Sequence, residues 1–280
     1  MDGKTASIST APSISPAELY APVGTAAAPL LLDCRHEAEF DADNALIVGA
    51  VRLAPDAVPH WLKDLRAGRD VVVYCADGGD VSQSSAATLA KTGANVAYLM
   101  HGIAGWRERK LPTRRKVDTP TDKWVTRAKP KIDRIACPWL IRRFIDPYAA
   151  FLYVPPYEVL PTAAKLDAVP YDIEGVELSH EGDRCSFDTF LRIFGIADPA
   201  LDHLAAIVRG ADTSRHDLTP QCGGLFAISL GLSANFPNDH DMLAHGMVIY
   251  DALYTWCRSL QSETHNWPAK TPAGAQSAGV

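Results

Sequence analysis

At 280 residues, 47% hydrophobic and with a formal net charge of −6, the chain has the size for one or two globular domains with ample core. Its acidity weighs against broad nucleic-acid binding. No apolar run reaches the roughly 18 residues of a spanning helix, and Met1–Ser7 has no apolar signal segment, so no membrane partner and a cytoplasmic location are expected. The six cysteines, at 34, 75, 137, 185, 222 and 257, show no C-x-x-C spacing. That suits a reducing compartment and argues against a cysteine-rich structural zinc site.

Residues 1–12 read as a loose tail. Leu30–Leu32 is an apolar strand ending in Asp33. Val71–Tyr74 is a second apolar strand, followed by Cys75, a Gly-containing loop and a helix that includes Ala86–Ala90. A cysteine at such a junction lies under loop N–H groups and near the positive end of a helix dipole, and both favour thiolate over thiol. The plainer reading is a buried cysteine that ends a strand. Residues 116–122 read as a linker, and 261–280 as a second tail.

Between them, 123–260 predicts strands early and helices late, an α+β, largely helical domain. Trp124–Thr126 and Phe151–Val154 read as strands, and Asp133–Ile145 as a helix that Pro138 must kink or start. Val176–His180 alternates as a half-buried strand. Helices follow from Ser186 as a cap, over 199–210, from Thr219 to Gly231, and from Asn238 as a cap.

Residues 101–143 hold thirteen Lys and Arg against four Asp and Glu. This band reads either as a solvated linker or as an oxyanion contact. Within it, Arg134, Cys137 and Arg142 are candidates to hold an oxyanion such as chromate near a helix N-terminus. Farther on, His180, Asp212 and His240 each fall where an apolar pattern points inward. Two imidazoles and a carboxylate suit a divalent iron, manganese or zinc ion. The plainer reading makes them satisfied core or capping residues.

Leu30–Arg35, Glu39–Phe40, Gly49–Ala50, the Cys75 loop, Gly102-x-x-Gly105-Trp106 and Leu111–Pro112 together resemble a rhodanese domain. The resemblance covers residues 13–115 and implies an α/β fold, a parallel five-stranded sheet flanked by helices. It implies Cys75 as a persulfide carrier needing no cofactor, with a small-molecule sulfur donor and a thiol acceptor as partners. Asp77, Gly78, Gly79, Asp80, Val81 and Ser82, with Arg35, become the substrate-binding candidates. The loop departs from the family's Cys-x-x-Gly-x-Arg-Ser, since Asp80 stands at the Arg position and the Ser arrives one residue late, at Ser82. An acid there repels anionic donors such as thiosulfate, and a loop without Arg does not suit phosphate. A thiol-bound or neutral persulfide donor fits better.

Trp124–Arg127, Lys131–Asp146, His180–Phe187 and Tyr250–Tyr254 resemble the C-terminal domain of ChrB-type chromate-resistance proteins. That resemblance implies a bacterial role in chromate stress without supplying a reaction. Two functions follow. One is a sulfurtransferase working in chromate or oxidative-stress defence. The other is an oxyanion- or metal-binding sensor on a degenerate rhodanese scaffold.

Overall fold

The computed structural model describes residues 11–61, 69–117 and 121–264. The apolar runs Leu30–Leu32 and Val71–Val73 become β2 (Leu30–Asp33) and β5 (Val71–Tyr74), each buried along its whole length. Strands without a polar face need cover on both sides. β2 and β5 join β1 (Ser13–Ile14), β4 (Ala50–Arg52) and β6 (Val96–Leu99) in a five-stranded sheet of order β1-β6-β5-β2-β4. Every pairing in it is parallel. Helices α1 (Pro16–Tyr20), α2 (Glu37–Ala42), α3 (Val58–Trp61), α4 (Asp80–Ala90) and α5 (Gly102–Glu108) connect these strands. A separate antiparallel pair joins β3 (Ala45–Ile47) to β7 (Thr113–Arg115). β5 is the central strand, so Cys75 leaves the carboxyl end of the sheet's middle, where open α/β sheets place their ligands.

The second half opens with β8 (Lys123–Arg127), flanked in parallel by β9 (Ala150–Val154) and β10 (Val169–Pro170). The rest is mostly helical: α6 (Ile132–Leu140), α7 (Val159–Leu166), α8 (Ser186–Phe194), α9 (Pro199–Asp212), α10 (Cys222–Asn235) and α11 (Asp239–Thr255). Pro138 lies inside α6. Lacking an N–H, it leaves the Arg134 carbonyl without its helical donor. The Tyr153 hydroxyl donates to that carbonyl at 3.4 Å. A π-helical turn, Ile141–Ile145, then closes the helix.

Three local expectations differ. Val176–His180 is an irregular, bent segment rather than a strand. Asp172 takes a left-handed φ of 51°, and its N–H donates to the Leu178 carbonyl at 2.9 Å, folding the segment back on itself. Cys185, not Ser186, is the N-cap of α8. The helix expected from Thr219 begins at Cys222. The tails lie largely outside the described residues, as does 118–120 of the expected linker, whereas the Lys116 N–H is bonded to the Asn44 carbonyl at 3.0 Å.

One apolar core runs through both halves, from Leu19, Val23, Ile47 and Trp106 to Phe144 and Tyr254. Polar ties cross the same seam. The Gly49 N–H donates to the Phe144 carbonyl at 2.6 Å, and the Tyr20 and Tyr254 hydroxyls both donate to Asp198 Oδ2, at 3.2 and 2.7 Å. Asp251 accepts from Trp139 Nε1 at 2.8 Å, from Arg143 through two bonds of 2.9 Å, and from the Ala26 N–H at 3.2 Å. Gly24, at φ 82°, lies flat against the Tyr254 ring, where a Cβ would overlap the ring carbons.

Gly24→Ala should therefore cost about 2–4 kcal/mol through left-handed strain and overpacking together. Urea titration followed by tryptophan fluorescence and by far-UV dichroism should show one coincident transition, moved to lower midpoint. Two separated transitions would mean that the halves unfold independently of the seam.

Candidate functional site: the Cys75 loop and a histidine–carboxylate cluster

Cys75 lies between β5 and α4 and is only 2% exposed. Its Sγ stands 3.4 Å from Asp77 Oδ1 and 3.3 Å from Ser82 Oγ. Asp77 Oδ1 also accepts the Gly79 N–H at 2.9 Å. That N–H bond first, and the thiol second, hold the Asp77 carboxyl below its usual range. The acid that touches the sulfur is thus Asp77, while the exposed Asp80 forms the first residue of α4. Ser82 Oγ donates to the Gly79 carbonyl at 3.1 Å, and Gln83 Nε2 to the Gly78 carbonyl at 3.0 Å. Val81, half-buried, follows Asp80 in the first turn.

The loop nests against α5. The N–H groups of Ile103 and Ala104 donate to the Cys75 and Ala76 carbonyls, both at 3.0 Å. Gly102, at φ 52°, permits this approach, since a Cβ there would strike the Cys75 carbonyl. The expected Gly102-x-x-Gly105-Trp106 segment is therefore the floor of the cysteine loop, and Trp106 Nε1 anchors it on the Pro112 carbonyl at 2.9 Å.

Arg35 does not serve the loop as a free cation. It is 1% exposed, and its guanidinium is spent on Asp33, on Asp43 at 2.8 Å and on the Ala45 carbonyl at 2.9 Å. Tyr74 Oη completes that network on Asp33 at 2.9 Å.

The three oxyanion candidates do not converge either. Arg134 donates to the Arg127 and Ala128 carbonyls and pairs with Asp172. Arg142 donates to the Ala149 carbonyl and lies over the Phe151 ring. Cys137 is fully buried, and burial, then Asp133, pushes its thiol well up. Burial likewise raises the Cys34 thiol to about 12 and that of Cys257 to about 11. Much of the basic band turns inward: Arg107 pairs with Asp43, Arg114 donates to the Ala50 carbonyl, Lys116 caps the Phe40 ring and Arg143 holds Asp251.

His180 and Asp212 meet, but His240 is not with them. His240 is exposed near the start of α11, edge-on to Tyr153. The third member is Asp133, in the first turn of α6. One ligand atom from each of Asp133, His180 and Asp212 lies within 4.8 Å of the others. His180 Nε2 is 3.2 Å from Asp212 Oδ2, 3.4 Å from Asp133 Oδ2 and 3.5 Å from Asp172 Oδ1. Asp172 also accepts from Ser186 Oγ at 2.7 Å and Arg127 at 3.0 Å, and Arg134 Nε lies 3.3 Å away. Asp133 Oδ2 accepts the Ser186 N–H at 2.6 Å, whereas the buried Asp133 Oδ1 has no partner. Burial pushes the Asp133 carboxyl up to about 7, and the surrounding carboxylates Asp133, Asp172 and Asp212 raise His180 to about 12.

Sequence reasoning missed Asp133 because an acid in the first turn of a helix reads as a favourable partner of the helix dipole, whereas here it is buried. It missed Asp172 because a left-handed turn carries no periodicity. Asp77 is among the loop candidates of the sequence, and Asp-Gly-Gly is the composition of a turn in which the side chain accepts the N–H two residues on.

The parallel sheet with a cysteine loop after its central strand defines the class. Residues 15–109 match the rhodanese-like domain, and this half of the chain is one. A sulfurtransferase of Allochromatium vinosum is 31% identical over 83 residues, 30% of this chain and 76% of that protein. A rhodanese-related structure from Thermoplasma volcanium aligns over 36% of this chain and 96% of its own, at 25% identity and a TM-score of 0.32. Residues 124–257 match the ChrB C-terminal domain, so the chain joins a rhodanese-like domain to a ChrB C-terminal domain. Protein ChrB of Cupriavidus metallidurans is 35% identical over 156 residues, 55% of this chain and only 45% of that protein's length.

Asp77 sets a testable field at the sulfur. Asp77→Asn keeps the size and removes the charge. At this exposed position the gain for an anionic reagent should be about 1 kcal/mol, roughly fivefold. Alkylation of Cys75 by iodoacetate relative to neutral iodoacetamide should rise by that factor. An unchanged ratio would mean that the carboxylate does not govern access of anions.

Proposed function

We propose that the chain is a cytoplasmic sulfurtransferase of the rhodanese type, with Cys75 as persulfide carrier, working in chromate or oxidative-stress defence. The observation that carries this reading is the placement of Cys75 at the carboxyl end of the central strand, with the loop 76–79 leading from it into the N-terminal turn of α4. The Cys75 thiolate attacks the outer sulfur of a donor persulfide, R–S–SH. The donor's S–S bond breaks, R–S⁻ leaves, and Cys75 carries the sulfur as Cys–S–SH. An acceptor thiolate then attacks that outer sulfur, becomes the new persulfide and returns Cys75 to thiolate. No cofactor enters either step.

The donor is a thiol-bound persulfide rather than thiosulfate. Asp77 and Asp80 flank the loop, and no Arg or Lys lies between Cys75 and Gln83. Asp77 must swing off the sulfur for the donor to reach it. That same contact favours a second reading, in which the loop is a closed scaffold and the ChrB C-terminal domain, which is related to chromate resistance, does the binding.

Intact mass after incubation with a persulfide donor separates the two. The wild type should gain the mass of one sulfur atom, mapped to Cys75. Cys75→Ser should gain none and melt as the wild type does. No adduct on the wild type would favour the scaffold. Asp80→Arg should raise thiosulfate turnover by about tenfold in kcat/KM, the effect of reversing one partly screened charge.

A further inference from the structure

Asp133, Asp172, His180 and Asp212 come from four separate segments, on α6, after β10, before α8 and at the end of α9. Their arrangement is poorly explained as a protonated histidine among acids. Nε2 carries one hydrogen, yet it stands nearly equidistant from three carboxylate oxygens, at 3.2, 3.4 and 3.5 Å. A charge-assisted N–H···O bond closes to about 2.7–2.9 Å, and none of the three does.

The separations of Nε2 from the Asp133 and Asp212 oxygens, 3.4 and 3.2 Å, suit a shared cation instead. Metal–ligand bonds of about 2.0–2.2 Å set neighbouring donors about 3.0–3.5 Å apart in octahedral or tetrahedral geometry. The charges agree. Asp172 is answered by Arg127 and Arg134. Asp133 and Asp212 remain, two negative charges beside an imidazole that is neutral when it ligates. One divalent ion balances them. Asp133 supplies the independent sign: it is 2% exposed, its Oδ2 stands 3.4 Å from His180 Nε2, and its buried Oδ1 has no hydrogen-bond partner. An unpaired buried carboxylate oxygen is costly, and a cation removes the cost.

We infer that Asp133, His180 and Asp212 bind one divalent transition-metal ion of the zinc, manganese or iron class, with Asp172 held by its arginines as the neighbouring acceptor. The two oxygens and one imidazole nitrogen select against magnesium and calcium, which prefer all-oxygen shells. Three protein ligands leave coordination positions open. His180 is 42% exposed at its side chain, and it borders, with Arg127 and Asp172, an open cavity of about 330 Å³. The site is therefore reachable from solvent, with a cation, Arg127, at the cavity's edge. This inference does not depend on Cys75.

The test uses the full chain, stripped with a chelator and titrated calorimetrically with Zn²⁺ and with Mn²⁺. Mn²⁺ discriminates against binding at the cysteines, because it is poorly held by thiolates. One ion should bind per chain, and the melting temperature should rise with metal. Asp133→Asn, His180→Ala and Asp212→Asn should each weaken binding at least about tenfold, as expected when a ligand set is broken. His240→Ala and Cys75→Ser should bind as the wild type does. Asp133→Asn preserves the acceptor for the Ser186 N–H, and His180 is exposed enough that its loss leaves the fold intact, which a dichroism spectrum checks. Absence of stoichiometric binding, or binding indifferent to all three substitutions, would overturn the site and leave His180 as an imidazolium bridging the acids.

Discussion

Phe144 and Tyr254, an edge-on ring pair with centroids 5.3 Å apart, seat the helical half on the rhodanese-like half. The rest of the arrangement follows from that contact. Phe144 lies in the π-helical turn that ends α6, and the turn delivers its carbonyl to Gly49 and its neighbour Arg143 to Asp251. Both glycines on the receiving side have positive φ: Gly24 lies against the Tyr254 and Phe144 rings, and Gly49 against the Arg143 carbonyl. Burying aromatic surface this large contributes several kcal/mol, and the carboxylates of Asp198 and Asp251 fix its direction through hydroxyl, indole and guanidinium donors.

α6 ties that seam to the acidic cluster. Its carboxyl end enters the π turn and Phe144, and its first turn carries Asp133. Eleven residues separate Asp133 from Phe144, about 16 Å along a helix. The helix is buried on nearly every face, so its position is set by packing and not by solvent. The cysteine loop is held as firmly, by carbonyl bonds onto the start of α5 and by Gly102 beneath Cys75. Both candidate sites thus rest on backbone that cannot shift without disturbing core.

Much of the first half was legible because its signals are local. All-apolar strands, the Cys75 loop and the Gly-x-x-Gly-Trp segment each state their structure within a few residues. The second half was legible for strands Lys123–Arg127 and Ala150–Val154 and for helices with a cap, such as Asp239–Thr255 behind Asn238. It failed where a tertiary contact decided the outcome. The alternation of Val176–His180 places His180 at the inward end of a strand, yet it reaches the cluster through turns made by Asp172 and Gly175. The apolar pattern points Asp212 inward, and it meets His180 from the end of α9. His240 follows the same periodic logic and lies elsewhere, because α11 becomes buried only from Met242 onward. The basic band misled in another way: charge counts do not reveal that Arg114, Lys116, Arg134 and Arg142 spend themselves on carbonyls and rings.

Arg258, in the π-helical turn after α11, reaches back across the whole sequence. It donates to the Val23 and Ala21 carbonyls at 3.0 and 3.1 Å and lies 4.3 Å over the Tyr20 ring. Synthesis proceeds from the other end, at about 5–20 residues per second. The rhodanese-like half can close its own sheet as soon as it emerges. Its apolar flank around Leu19, Val23 and Trp106 must then wait for more than a hundred further residues before Tyr254 and Arg258 arrive to cover it. During those seconds the nascent chain carries an aromatic face that its own later residues have yet to cover, so the order of synthesis itself leaves this flank open while the second half is being made.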